Sequence, residues 1–106
     1  MSEKIEAFIE KLKQNPQNRF HRFNLAQAYF DDGSFELAKK EFMECLKIAD
    51  DWMMALLYAG KSCLEIGETE IAQKYFKETI IAAKEQGHDD PMLEAESLLQ
   101  QCKPSQ

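Results

Sequence analysis

Residues 33–44 read GSFELAKKEFME, and residues 67–78 read GETEIAQKYFKE. The second stretch repeats the first at a spacing of 34 residues and keeps its glycine, alanine, phenylalanine and both flanking glutamates in place. A fixed period of this length is typical of helical solenoids, in which each repeat is a helix pair that buries its apolar side against its neighbours. The repeat therefore predicts an all-α scaffold that binds other molecules, and it disfavours an enzyme.

The composition fits one small helical domain. The chain has 106 residues, of which 44% are hydrophobic and 30% charged, and it contains only four glycines and three prolines. That is enough apolar material for a core, and it leaves little room for turns. The net charge of −6 disfavours nucleic acid and anionic membranes as partners, because both are bound through basic side chains.

Nothing in the sequence predicts a catalytic, metal or cofactor site. We find no nucleophile–base motif, phosphate loop or dinucleotide fingerprint, and His21 and His88 are far from one another and from any cysteine pair. The three cysteines lack metal-ligand spacing, so we expect free thiols and a cytoplasmic location. Cys45 and Cys63 are expected in the core, and Cys102 at the surface. No stretch has a signal-peptide core or the length of a membrane span.

Apolar spacing and chain breakers predict six helices. Their expected bounds are about 3–13, 18–31, 34–48, 52–65, 68–85 and 91–102. The expected N-terminal caps are Asn18, Ser34, the pair Asp50 and Asp51, and Asp90. The sixth helix has one polar side, which is typical of the capping helix of a solenoid.

Two sets of residues at corresponding positions identify the repeat more closely. The first set is Arg22, Leu25, Ala26, Tyr29, Ala38 and Phe42, and the second is Leu56, Ala59, Gly60, Cys63, Ala72 and Phe76. Their order resembles the tetratricopeptide repeat, whose pattern is W-x2-L-G-x2-Y, then A-x3-F, then P. The tryptophan and the proline of that pattern are replaced in both copies.

The resemblance implies a right-handed superhelix of helix pairs that covers nearly the whole chain. Residues 1–18 would form half a repeat, 19–52 the first full repeat and 53–86 the second. Residues 87–103 would form a capping helix, followed by a frayed tail at 104–106.

The resemblance also implies a binding groove, because the first helix of each pair lines the concave side in tetratricopeptide repeat proteins. The corresponding residues are Phe20, Phe23, Gln27, Phe30 and Asp31 in one repeat and Met54, Leu57, Lys61, Leu64 and Glu65 in the next. We expect Phe23, Met54 and Leu57 to be exposed and Lys61 to be solvated. The basic residues with which some family members hold a chaperone's C-terminal carboxylate are absent, since Phe23, Gln27 and Tyr58 stand at those positions.

The predicted function is non-catalytic protein–protein interaction, with a peptide or a partner helix as the ligand. Two alternatives stay open at this stage. The apolar face could join two copies of the chain in a structural homodimer, or the protein could be a small secretion-type chaperone. Concentration-dependent size in solution separates the homodimer from the other two.

Overall fold

A computed structural model describes residues 2–102. Within that range the chain forms six α-helices and no strand: α1 (Glu3–Gln14), α2 (Arg19–Asp31), α3 (Phe35–Ile48), α4 (Met53–Glu65), α5 (Thr69–Gln86) and α6 (Asp89–Gln101). The all-α prediction is confirmed, and each helix lies within a few residues of its expected position. Residue 103 and the tail expected at 104–106 lie outside the described residues.

The helices form two layers. Along the chain each helix contacts the next, and in addition α2 contacts α4 and α4 contacts α6. Over residues 2–102, by contrast, α1, α3 and α5 contact helices of the other layer and not each other. The stack is therefore curved, with α2, α4 and α6 close together on its inner, concave side and α1, α3 and α5 further apart on its outer side.

The turns after α2 and α4 are the same motif. Gly33 and Gly67 adopt φ of 82° and 84°, a left-handed conformation that glycine reaches without a steric penalty. In the first turn the amide of Ser34 donates to the carbonyl of Tyr29 and that of Gly33 to Phe30, which together form a Schellman motif. The repeated glycine of the sequence therefore ends each inner helix and starts the outer one.

Two of the four expected caps are displaced in the structure, and a third lacks its side-chain hydrogen bond. Asn18 caps α2 as predicted, because its Oδ1 accepts from the amide of His21 at 2.9 Å. Ser34 is the N-cap residue of α3 as predicted, but its hydroxyl donates to Asp32 instead of accepting from a helix amide. Trp52, one residue after the predicted acidic pair, is the N-cap of α4.

The cap of α6 is also shifted. His88 is its N-cap, and Asp90 lies inside the first turn. The shift arises because Gly87, in a left-handed conformation, ends α5 and leaves only His88 before α6 begins.

The core consists of small and aromatic residues at the repeated positions. Ala38, Phe42, Ala72 and Phe76 are fully buried, as are Cys45 and Cys63. The pairing of a small residue on the inner helix with a phenylalanine on the outer helix lets the two backbones approach closely. In the second repeat the approach is so close that a Cβ on Gly60 would lie 2.6 Å from the ring of Phe76.

We expect Gly60→Ala to destabilise the protein, although alanine is the better helix former. The helix-propensity gain is about 1 kcal/mol, whereas overpacking a buried ring costs about 1–3 kcal/mol. The free energy of unfolding, measured by urea denaturation, should fall by roughly 1–2 kcal/mol. Combining Gly60→Ala with Phe76→Leu should recover part of the loss. A stabilised Gly60→Ala variant would contradict the close packing.

Candidate functional site: the inner face

Lys61 marks the surface that α2, α4 and α6 share. Its Nζ lies 4.5 Å from the ring centroid of Tyr58 on its own helix and 5.9 Å from that of Phe30 on α2. The same ammonium is 2.7 Å from Oε2 of Glu94 on α6. One side chain thus touches all three inner helices.

The residues in line with Lys61 define what we call the inner face. On α4 they follow the spacing i, i+4, i+7 and i+11 from Met54, which is one side of a helix. The corresponding residues of α2 lie 34 positions earlier, because 34 is the period of the repeat. Those of α6 lie 36 positions later, because α4 and α6 start 36 residues apart and their buried residues Ala59 and Ala95 have the same separation. The inner face consists of Phe20, Asn24, Gln27 and Asp31; Met54, Tyr58, Lys61 and Glu65; and Asp90, Glu94, Ser97 and Gln101.

None of these twelve side chains is buried, so the inner face is open to a ligand. Phe20, at one end, has 66% of its surface exposed. Gln27 donates through Nε2 to Oδ1 of Asp31 at 3.2 Å, and Lys61 is held by Glu94. The face therefore presents apolar and aromatic side chains at the start of α2 and α4 and carboxylates at their ends.

A continuous row of aromatic rings supports the inner face from below. Phe23 stacks on Trp52 with centroids 5.0 Å apart and meets the ring of Phe42 edge-on at 5.6 Å. Phe42 in turn stacks on Tyr58, which Phe30 meets edge-on at 5.1 Å. Since such ring pairs add to the apolar burial, the row fixes Tyr58 and Trp52 in place between the two layers.

A family model for the tetratricopeptide repeat matches residues 22–51, which cover most of α2, all of α3 and the turn between them. This segment of the chain resembles a tetratricopeptide repeat. The second helix pair of the chain follows the first at the family's period, and the six helices form an α–α solenoid of the same kind. Comparison with curated proteins gives no significant match.

Solved structures share this fold over nearly the whole chain. A protein from Bordetella parapertussis superposes with a TM-score of 0.83 at 22% identity, covering 96% of this chain and 89% of its own. A tetratricopeptide repeat domain protein from Salinibacter ruber gives 0.74 at 21% identity, covering 84% and 90%. The first tetratricopeptide repeat domain of Spaghetti, solved with an HSP90 peptide bound, gives 0.80 at 17% identity, covering 92% and 73%.

Leu57 lies in the core and not on the inner face. The expectation that it is exposed is wrong, because only 1% of its surface is accessible. It packs in a cluster with Ala72, Phe76 and Ala95, under α5 and α6. Phe23, at the corresponding position of the first repeat, is half-buried against Trp52 instead.

The other predicted groove residues fall into two groups. Phe20, Gln27, Asp31, Met54, Lys61 and Glu65 lie on the inner face, where Met54 is half-buried and not, as expected, exposed. Phe30 and Leu64 are half-buried, pack against the core and border the inner face without belonging to its line. The expectation of a solvated Lys61 is wrong, since Glu94 and two rings hold its ammonium. Sequence reasoning did not place Asn24 or the α6 residues in the groove, and the repeat period alone would have suggested Asn24.

The three thiols are free and all are buried, so the expected exposure of Cys102 is wrong. Burial raises the pKa of the Cys45 thiol to about 12 and that of Cys63 to about 11. Within residues 2–102 no three potential ligands among His, Cys, Asp and Glu come together to hold a metal ion. In the same part of the chain, no helix combines the length and apolar character needed to cross a bilayer.

The buried thiols give a prediction on reactivity and pH. Because the thiolate is the reactive form, Cys45 and Cys63 should react with Ellman's reagent at pH 8 at least about a hundredfold slower in the native protein than in guanidinium chloride.

The folded state also holds the protons of these two thiols more tightly than the unfolded state, whose thiols ionise near pH 9. The free energy of unfolding should therefore fall as the pH rises from about 9 towards 12. Fast native labelling of Cys45 or Cys63 would contradict the first expectation, and a free energy of unfolding that stays constant over this pH range would contradict the second.

Proposed function

We propose that this protein is a non-catalytic interaction module that binds a peptide or a partner helix on its inner face. The observation that carries the proposal is the inner face itself. It presents Phe20, which is 66% exposed, and the partly exposed side chains of Met54 and Tyr58 on the adjacent helix. Aromatic side chains in such positions are typical of interface anchors, and an extended or helical segment fits a groove between parallel helices.

The peptide bound by the first tetratricopeptide repeat domain of Spaghetti supports the general mode of binding. The similarity does not imply that this protein binds the same type of peptide. The positions at which a basic clamp would stand hold Phe23, Gln27 and Tyr58, and the ammonium of Lys61 is already paired with Glu94. We therefore propose a ligand that is not recognised through a terminal carboxylate.

Selection from a random dodecapeptide library displayed on phage tests the proposal. Wild type is compared with an inner-face variant, Phe20→Ser/Met54→Gln, and with a matched variant of the outer helices, Leu37→Ser/Ile71→Gln. Leu37 and Ile71 are 42% and 40% exposed, whereas Phe20 is 66% exposed and Met54 is half-buried, so each double variant removes apolar surface that is at least partly accessible. Circular dichroism establishes that each variant is folded.

We expect peptides enriched on wild type to bind the outer-helix variant equally and the inner-face variant at least about tenfold more weakly, a loss of roughly 1.4 kcal/mol. Equal loss in both variants, or no enriched peptide, would count against binding on the inner face.

Sedimentation velocity separates the homodimer from this proposal. Weak dimers dissociate at concentrations between about 10 and 500 μM. If the protein is a monomer throughout this range, the result supports binding of an external partner. A dimer that disappears in the inner-face variant would favour self-association. Two copies of the inner face would bring like charges together, because four of its residues are carboxylates, and we therefore favour the external partner.

A further inference from the structure

The inner face has a strong imbalance of charge. Its charged side chains are four carboxylates, those of Asp31, Glu65, Asp90 and Glu94, and one ammonium, that of Lys61. The ammonium is 2.7 Å from Glu94, so that pair contributes no net charge. The other three carboxylates have no ion-pair partner among residues 2–102.

Two of these carboxylates lie where the helices disfavour them. Asp31 and Glu65 are the last residues of α2 and α4, and the C-terminus of a helix carries a partial negative charge that favours cations. The outer helices follow the rule, since Lys13, Lys47 and Lys84 lie in the last turns of α1, α3 and α5. No basic residue lies in the last turn of α2 or α4.

The structure also shows how this surface holds a cation. The ammonium of Lys61 lies over the ring of Tyr58 at 4.5 Å and against the carboxylate of Glu94. A cation over an aromatic face is attracted by the ring quadrupole, and the carboxylate adds a charge-assisted hydrogen bond. Glu65 is one turn beyond Lys61 on α4, and Asp31 is at the corresponding place on α2.

We infer that the partner of the inner face is a cationic segment whose lysine or arginine side chain binds between Asp31 and Glu65, at the C-terminal ends of α2 and α4. Its apolar side chains then contact Tyr58, Met54 and Phe20. The inference rests on the proposed function. It adds the charge of the ligand and its orientation, with the cationic side chain at the C-terminal ends of α2 and α4 and the apolar side chains towards their N-terminal ends. A cation at this place neutralises both carboxylates and the ends of both helices, which gives the ligand an advantage that an acidic or neutral segment lacks.

The inference predicts opposite effects on folding and on binding for one variant. In Asp31→Asn/Glu65→Gln the shapes of the side chains are kept and both charges are removed. The free protein should unfold at a temperature about 2–6 °C higher, because two unfavourable helix-end charges are gone. The same variant should bind cationic peptides about tenfold more weakly. The control is Glu10→Gln/Glu78→Gln, which removes two exposed carboxylates from α1 and α5.

The test repeats the library selection and reads the composition of the enriched dodecapeptides. We expect enrichment of lysine and arginine and depletion of aspartate and glutamate on wild type and on the Glu10→Gln/Glu78→Gln control. The enrichment should disappear on Asp31→Asn/Glu65→Gln. Binding of a selected peptide, followed by fluorescence anisotropy, should weaken between 50 and 300 mM NaCl, over which the Debye length falls from about 14 to 6 Å.

The outcomes separate this inference from the proposed function. Peptides that lose binding in Phe20→Ser/Met54→Gln but carry no excess of basic residues would overturn the cationic ligand and leave inner-face binding intact. Basic peptides that bind both charge variants equally would overturn the role of Asp31 and Glu65. If no peptide depends on the inner face, both the inference and the proposed function fail.

Discussion

Leu57→Glu should leave the protein unfolded at 25 °C, or remove more than about 4 kcal/mol from its free energy of unfolding. Leu57 is 1% exposed and packs against Phe76 and Ala95. Losing a buried leucine side chain costs about 2–5 kcal/mol, and burying an unpaired carboxylate adds several more. A domain of this size has about 5–15 kcal/mol in total.

Phe20→Glu is the matched control for that substitution. Phe20 belongs to the same predicted groove, but 66% of its surface is exposed, and its edge-on contact with Trp52 has centroids 6.3 Å apart. Its replacement should change the free energy of unfolding by less than about 1 kcal/mol. Circular dichroism with urea titration measures both variants. A folded, stable Leu57→Glu protein would contradict the assignment of Leu57 to the core.

Phe42→Ala should have the second large effect, a loss of about 3–5 kcal/mol in the free energy of unfolding. Phe42 is fully buried, and its ring lies between those of Phe23 and Tyr58. Removing it leaves a cavity between the two layers and breaks the aromatic row below the inner face. Tyr58 loses its stacking partner, so ligand binding should weaken together with stability.

Phe42→Leu separates volume from aromatic stacking. It keeps most of the buried volume and should cost about 1–2 kcal/mol. Phe76→Ala, the corresponding change in the second repeat, should cost as much as Phe42→Ala, because Phe76 is equally buried. Denaturation curves for the three variants provide the comparison. A loss below about 1 kcal/mol for Phe42→Ala would show that the phenylalanine does not join the layers.

The sequence predicted the architecture well because its signals are local. Gly33 and Gly67 require the left-handed turn that ends an inner helix, and Ala38 and Phe42 recur as Ala72 and Phe76 at the positions where the layers meet. Helix starts were harder to predict. Trp52 and not an aspartate caps α4, since the cap depends on how the chain leaves the preceding turn as well as on the residue's preference for the position.

The exposure of individual groove residues could not be predicted from the repeat. Phe23 and Leu57 occupy the same position in the two repeats, yet Phe23 packs against Trp52 at 5.0 Å and Leu57 is covered by α5 and α6. The position within a repeat determines the direction of a side chain, whereas the neighbouring helices determine its exposure. Both repeats have a neighbour on each side, α1 and α4 for the first and α3 and α6 for the second, but those neighbours place different side chains over the same repeat position.

The ion pair of Lys61 could not be predicted for a related reason. The local sequence predicts a solvated Lys61, but Glu94 lies 33 residues further along the chain and pairs with it. The pairing depends on α6, which begins 36 residues after α4 and departs from the 34-residue period. A long-range ion pair of this kind has no signal in the local sequence.

The most direct test of the account is to map the bound peptide on the protein by NMR. A ¹⁵N-labelled sample of the whole chain is titrated with the dodecapeptide most enriched on wild type, and amide shifts are followed. We predict the largest saturable changes on α2, α4 and α6, centred on Tyr58, Lys61 and the ends at Asp31 and Glu65. Changes centred on Leu37 and Ile71 of the outer helices would contradict binding on the inner face.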